Sequence, residues 1–190
     1  RWAAEAAASM AEQQHPPAPP IPLEECIAIC IDRSGSMRSP IREMTAFGDN
    51  ANKTLERRSR MDAVKQIFYA FRDRVESLNG APVKGGVSRT HQIGLVQFDD
   101  TTEEMLPLTG ELDLFESIVD DMKERGRTAI YSAIAEGVRM LTPVFESSPH
   151  TDLRILVLTD GQSNAGIDPE QALRRVNDIG AVVDAIVVGD

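Results

Sequence analysis

The sequence is short of positive charge and has no long apolar run, and each shortage excludes a class of protein. Its 190 residues carry 20 Lys and Arg against 30 Asp and Glu, a formal net charge of −10. Non-specific binding to nucleic acid or to anionic membranes needs a positive field, so neither partner is expected. No apolar run approaches the roughly 18 residues of a transmembrane helix, so membrane insertion is not expected either, and the first residues lack a signal-peptide pattern. An acidic surplus is compatible with cation binding.

Cysteine is scarce as well. Cys26 and Cys30 are the only two, and both lie in the apolar run CIAICI, which is typical of a buried strand. Four strand steps separate them by about 13 Å, which is too far for a disulfide or a shared zinc ion. We therefore expect two small buried thiols. Such thiols suit a reducing compartment without demanding one, so we expect a cytoplasmic location, with an extracellular one as the open alternative.

The composition divides the chain into a leader and one domain. Residues 1–22 are rich in Ala and Pro and predict a flexible leader or linker. Residues 23–190 have the size of a single domain with a sizeable core. Within it, 39–60 and 79–90 interrupt the pattern and are predicted to be surface insertions.

Strand and helix patterns alternate through the domain. Strands are predicted at 26–31, 92–98, 105–108, 153–158 and 182–188. A helical face is formed by Val64, Ile67, Phe68, Phe71, Val75 and Leu78, and further helices are predicted at 112–122, 130–141 and 169–179. Asp168 and Pro169 suit the start of the last one. This alternation predicts an α/β fold with a doubly wound, mostly parallel sheet and helices on both faces.

Oxygen-bearing side chains cluster where the predicted strands end. The first strand runs into DRSGSM, which places Asp32, Ser34 and Ser36 on one loop, and LVLTDG ends the fourth strand at Asp160. RGRTAIYSAI places Thr128 just before a helix. Ligands of such sheets bind at the carboxyl ends of the strands, so these five side chains are expected at one edge. Hydroxyl and carboxylate oxygens suit a hard cation such as Mg²⁺.

These three segments, in this order, resemble the von Willebrand factor A domain and its metal-ion-dependent adhesion site, over about residues 23–190. DRSGSM matches the family's Asp-x-Ser-x-Ser, RTAIYSAI its threonine loop, and LVLTDGQSN its distal Asp-Gly strand end. The resemblance implies an intact site in which Ser34, Ser36 and Thr128 offer hydroxyls. Asp32 and Asp160 would supply carboxylates, directly or through water.

The resemblance also implies a function. Mg²⁺ or Mn²⁺ would keep an open coordination position for an Asp or Glu of a partner protein, and the domain would have no catalysis of its own. Two departures from the family pattern are visible: Gly126 is followed by Arg127 rather than a second Gly, and the family's C-terminal helix is not found before Asp190, so a truncated domain is expected.

Enzyme motifs are incomplete. A haloacid-dehalogenase phosphatase would need an Asp at the position of Ser34, and GQSNAG has Ala165 where a nucleophile elbow needs Gly, with no His after Ser163. GAPVKGG lacks the ending of a P-loop. ERRSR at 56–60 predicts solvated charges at a helix start.

Two alternatives to metal-dependent partner binding stay open at this point. One is a metal-stabilised scaffold inside a multi-subunit assembly, of the ubiquitin-pathway or ATPase-associated kind. The other is a metal-dependent hydrolase, which phosphatase assays with and without Mg²⁺ would detect.

Overall fold

The computed structural model describes residues 23–41, 58–79 and 90–189. The predicted leader at 1–22 lies outside the described residues, as do most of the two predicted insertions. The ends of the first insertion are described: Pro40 and Ser59 form an isolated antiparallel bridge, and Ile41 N donates to Arg58 O at 2.9 Å. This bridge holds residues 58–60 next to the loop that follows the first strand.

In the described ranges, five strands form one sheet. They are β1 (Leu23–Asp32), β2 (Thr90–Phe98), β3 (Thr102–Thr109), β4 (Asp152–Thr159) and β5 (Val182–Val187), in the spatial order β3-β2-β1-β4-β5. β1 runs parallel to β2 and β4, β4 runs parallel to β5, and only the β2–β3 pair is antiparallel. The predicted α/β class and mostly parallel sheet are confirmed.

Helices cover both faces of the sheet. They are α1 (Arg60–Asn79), α2 (Phe115–Asp120), α3 (Ile130–Ser147) and α4 (Pro169–Ile179), and a 3₁₀ turn spans Gly35–Arg38. The Asp168 side chain accepts a hydrogen bond from Glu170 N at 2.8 Å, which confirms the predicted start of α4. None of the helices in the described ranges is long and apolar enough to span a membrane.

The two faces of β1 belong to two cores. Ile27, Ile29 and Ile31 pack with α1 and α2, whereas Cys26 and Cys30 pack on the opposite face with α3 and α4. Both cysteines are free and fully buried, and burial raises the pKa of each thiol to about 12. The prediction of small buried thiols is confirmed.

One predicted helix is shorter than expected. The pattern over 112–122 predicts a single helix, but α2 covers only Phe115–Asp120. After it the chain becomes a loop, and Arg125 N donates to Arg33 O at 2.7 Å. The helix ends early because this loop returns to the end of β1, where the candidate site lies.

Candidate metal site

The site lies at the carboxyl ends of β1 and β4, adjacent strands whose chain connections leave toward opposite sides of the sheet. Such a switch point is where open α/β sheets bind ligands. Asp32 ends β1 and is fully buried. Its Oδ1 accepts from Ser34 N at 2.7 Å and its Oδ2 from Thr159 Oγ1 at 2.6 Å. Both oxygens of this carboxylate are thus held in place by the loop and by the neighbouring strand.

Two serines and Asp160 form a chain of oxygens across the strand ends. Ser34 Oγ and Ser36 Oγ share a hydrogen bond of 3.0 Å, and Ser36 Oγ donates to Asp160 Oδ1 at 2.9 Å. Adjacent oxygens around an octahedral Mg²⁺ lie about 2.9 Å apart when the Mg–O distances are about 2.0 to 2.1 Å. Hydrogen-bonded oxygens generally have this spacing, so the three oxygens are compatible with neighbouring ligands of one small cation.

Thr128 approaches from the third loop. It is buried, and Asn164 holds its backbone from both sides: Thr128 N donates to Asn164 Oδ1 at 3.0 Å, and Asn164 N donates to Thr128 O at 2.9 Å. Gly35 N donates to Gly126 O at 3.1 Å, which joins this loop to the serine loop. Among the described residues, no hydrogen bond joins the Thr128 hydroxyl to the other four predicted ligands.

Gly126, two residues before Thr128, has a backbone conformation that requires glycine. Gly126 has φ +70°, and a Cβ on it would lie 2.1 Å from Asp100 Oδ1. The following position tolerates a side chain, because Arg127 is exposed and contacts Asp100 Oδ1 only through its backbone N at 3.4 Å. The departure from Gly-Gly therefore leaves the loop intact.

Arg60 is a member of the site that the sequence did not reveal. It is the first residue of α1, and its Nη1 donates to Asp160 Oδ2 at 2.8 Å. Its side chain is 22% exposed and that of Asp160 is 1% exposed. The prediction that 56–60 carries solvated charge is wrong for Arg60. Arg60 and Asp160 are 100 positions apart in the sequence, so no local pattern pointed to their contact.

The buried carboxylate of Asp99 joins the loops that carry the candidate site. Asp99 Oδ2 accepts from Arg33 Nε at 3.0 Å and from Arg125 Nε at 2.8 Å, and its Oδ1 accepts from Thr101. Ala129 N donates to Asp99 O at 2.8 Å. Burial alone would raise the pKa of Asp99, but the bonds from Arg125 and Thr101 and the charge of Arg33 lower it to about 2. Asp99 thus ties the serine loop to the threonine loop.

The chemistry of the donors fits a hard cation. The five predicted ligands offer two carboxylates and three hydroxyls. Across the described ranges, no group of three or more His, Cys, Asp or Glu is placed to hold a metal, so a metal at this site would depend on hydroxyl as well as carboxylate oxygens. Burial raises the pKa of Asp32, although hydrogen bonds from Thr159 and Ser34 oppose the rise. A buried carboxylate whose charge is disfavoured is stabilised by a nearby cation.

Solved structures share this fold at low identity. BatB from Bacteroides thetaiotaomicron is 20% identical with a TM-score of 0.60, covering 87% of this chain and 66% of BatB. The SpRpn10 VWA domain is 19% identical with a TM-score of 0.60, covering 88% and 77%. Proximal thread matrix protein 1 from the mussel byssus, with a zinc-occupied MIDAS motif, is 22% identical with a TM-score of 0.56, covering 89% and 39%.

A comparison with curated proteins finds no significant match. The family model of the von Willebrand factor type A domain, by contrast, matches residues 27–162, from β1 past the end of β4. That range contains Asp32, Ser34, Ser36, Thr128 and Asp160. The match covers more than half of the chain, and the mostly parallel five-strand sheet with its helices agrees with it. The chain therefore belongs to the von Willebrand factor type A domain family.

Proposed function

We propose that this domain binds a protein partner through a Mg²⁺ or Mn²⁺ ion held by Asp32, Ser34, Ser36, Thr128 and Asp160. Domains of this family are generally protein-interaction or scaffold modules. The observation that carries the proposal is the oxygen chain Ser34–Ser36–Asp160, with separations of 3.0 and 2.9 Å. When bound, the ion supplies a coordination position that a carboxylate of the partner completes.

The charges of the site support an anionic ligand. Two carboxylates offset the charge of a divalent ion, and the Arg60 guanidinium on Asp160 adds a further positive charge, so an incoming Asp or Glu side chain is not repelled. The protein contributes rigid oxygens, because both oxygens of Asp32 and the backbone of Thr128 are fixed by hydrogen bonds. Rigid ligands lower the entropic cost of binding.

Melting curves test the ion. Millimolar Mg²⁺ or Mn²⁺ should raise the melting temperature relative to EDTA, since ligand at a hundredfold excess over Kd stabilises the native state by about 2.7 kcal/mol. Ser36→Ala, which removes the central oxygen of the chain, should lose most of this shift. Ser117→Ala, on the exposed surface of α2, should keep it. An unchanged melting temperature with both ions would refute the proposal.

Water proton relaxation tests the open position. Bound Mn²⁺ should enhance the relaxation of exchanging water, and the peptide acetyl-Leu-Glu-Leu-amide should reduce that enhancement by displacing the water. The matching Gln peptide should not, because a neutral amide binds a hard cation less strongly than a carboxylate. Equal effects of both peptides would contradict carboxylate recognition at the ion.

The scaffold function is the second candidate, and Arg60 favours it. Its guanidinium already neutralises Asp160, and Ser36 hydrogen-bonds the other oxygen of that carboxylate. The loops are therefore connected without a metal. A domain that Mg²⁺ stabilises but whose partner binding is unchanged in EDTA would be such a metal-stabilised scaffold.

A further inference from the structure

The backbone holds Arg60 beside the loop that carries the two serines of the candidate site. Arg60 N donates to Ser39 O at 2.9 Å, and the bridge between Pro40 and Ser59 joins the start of α1 to the end of that loop. Ser59 N donates to Asp62 Oδ2 and Asp62 N donates to Ser59 Oγ, both at 3.0 Å. This reciprocal pair fixes the first turn of the helix. The position of Arg60 is therefore set by its backbone rather than by its own side chain.

The guanidinium of Arg60 has donors that the described residues do not use. Its Nη1 donates to Asp160 Oδ2 at 2.8 Å, and its Nε is buried without a hydrogen-bond partner there. An arginine has five N–H donors, and the bond to Asp160 uses one of them. The side chain is 22% exposed, so it is partly open to solvent. A guanidinium in this state can bind a second carboxylate beside Asp160.

Arg60 differs in this respect from the other arginines near the site. Arg33 and Arg125 both pair with Asp99, so their charge is already offset. Arg127 is exposed, and within the described ranges its side chain contacts none of the five predicted ligands. Arg60 is the arginine whose guanidinium lies directly on one of them.

The charge of Arg60 becomes a surplus when a divalent ion is bound. Asp32 and Asp160 offset the two positive charges of the ion, and the Arg60 guanidinium on Asp160 adds one more. A site with this balance repels a further cation and attracts an anion. Without Arg60 the loaded site would be neutral, and an acidic side chain would gain less over a neutral one.

We propose that Arg60 determines the preference of the site for an acidic side chain of the partner. The inference rests on the proposed metal-dependent binding and adds to it a protein residue that selects the ligand. One charge then acts in opposite directions on two ligands, because it disfavours the cation and favours the carboxylate. This opposition separates Arg60 from a residue that only supports the loops, whose loss would weaken both.

Peptide titrations at saturating Mn²⁺ test the preference. The full chain is titrated with acetyl-Leu-Glu-Leu-amide and with the matching Gln peptide, and the readout is the ratio of the Gln-peptide Kd to the Glu-peptide Kd. Mn²⁺ is brought to saturation for each variant, so a changed ion affinity does not enter the ratio.

Arg60→Gln should lower this ratio about tenfold, the scale of a lost charge-assisted contact, while the Kd for Mn²⁺ falls. Arg60→Lys should keep most of the ratio because it keeps the charge. Arg174→Gln, on the exposed surface of α4, is the control and should match wild type. Melting curves in saturating Mn²⁺ verify that each variant is folded.

Each failure has its own signature. A wild-type chain that does not bind Mn²⁺, or that binds both peptides equally, would refute the proposed function and the inference together. A wild-type chain that prefers the Glu peptide, with the same ratio in Arg60→Gln, would overturn the inference alone. Equal weakening of both peptides in Arg60→Gln, or an equal loss of the ratio in Arg60→Lys, would also overturn it, because either result assigns Arg60 a structural role.

Discussion

The Arg60 guanidinium donates to Asp160 across 2.8 Å and joins the start of α1 to the end of β4. The Asp160 oxygen on the other side accepts from Ser36 at 2.9 Å. Arg60 packs against the backbone of Gly189, where a Cβ would lie 3.4 Å from the guanidinium. A protein cation therefore lies on one of the two carboxylates that are proposed to hold the metal, and a bound metal ion would compete with it for that carboxylate.

Arg60→Gln should therefore tighten Mg²⁺ binding. The substitution removes the positively charged group that donates to Asp160, so the ion no longer has to displace it. Loss of a charged hydrogen bond of this kind corresponds to roughly 1.5 to 3 kcal/mol, or about ten- to a hundredfold in the Kd for Mg²⁺. Because Arg60 is partly exposed, we expect the lower end of that range. Isothermal titration calorimetry measures the effect, with Arg174→Gln as the control. Weaker Mg²⁺ binding would instead mean that Arg60 positions Asp160 for the ion.

Asp160→Ala should destabilise the domain even in EDTA. Asp32 and Asp160 repel each other, which alone would make the substitution favourable without metal. However, Asp160 is the smallest of the influences on the pKa of Asp32, whereas its loss leaves Arg60 without its carboxylate.

We expect a loss of about 1 to 2 kcal/mol in the free energy of unfolding, measured by urea denaturation in EDTA. The double variant Arg60→Gln/Asp160→Ala should be more stable than the sum of the two single variants predicts, because the two residues act as a pair. Additive effects would show that the ion pair contributes nothing.

Four of the five predicted ligands could be brought together from sequence because each lies at a strand end. Asp32, Ser34 and Ser36 share one loop, and the buried run before Asp160 defines the end of β4. Parallel strands bring their carboxyl ends to one edge, so no long-range information is needed. The role of all five residues, Thr128 included, as metal ligands stays a prediction.

Arg60 and Asp99 could not be predicted in the same way. Arg60 stands at the end of a charged run, and nothing local distinguishes it from arginines that face solvent. Asp99 lies just after β2, but its role depends on Arg33 and Arg125, which are 66 and 26 positions away. Charge pairing across a fold depends on where loops return. The pattern over 112–122 predicted a helix, but α2 ends at Asp120, and the path of the following loop, which carries Arg125, was not visible in the sequence.

Asp99 makes the stability of the domain depend on pH in the acid range. Its pKa is about 2 in the folded protein and about 3.9 in an unfolded chain. Because the folded value is the lower one, its contribution of about 2 kcal/mol is fully present above about pH 4 and is lost as the pH falls toward 2.

Asp99→Asn should accordingly lower the free energy of unfolding by about 2 kcal/mol at neutral pH and by much less near pH 2. Urea denaturation across this range measures the difference. Asp178→Asn, on the exposed surface of α4, serves as the control and should match wild type throughout. A deficit of Asp99→Asn that is independent of pH would assign the effect to packing rather than to charge.

Thr128→Val should distinguish the contribution of the Thr128 hydroxyl to Mg²⁺ affinity from the contribution of the loop backbone to stability. Asn164 holds the backbone of Thr128 through two hydrogen bonds of 3.0 and 2.9 Å, and neither involves the Thr128 side chain. The valine variant should therefore keep its EDTA melting temperature while its Mg²⁺ affinity falls about tenfold, the usual scale for a lost polar contact to a charge. Thr128→Ser should retain the affinity, and Thr142→Val, in the middle of α3, should leave it unchanged. Wild-type affinity in the valine variant would remove Thr128 from the ligand set and leave the ion to Asp32, Ser34, Ser36 and Asp160.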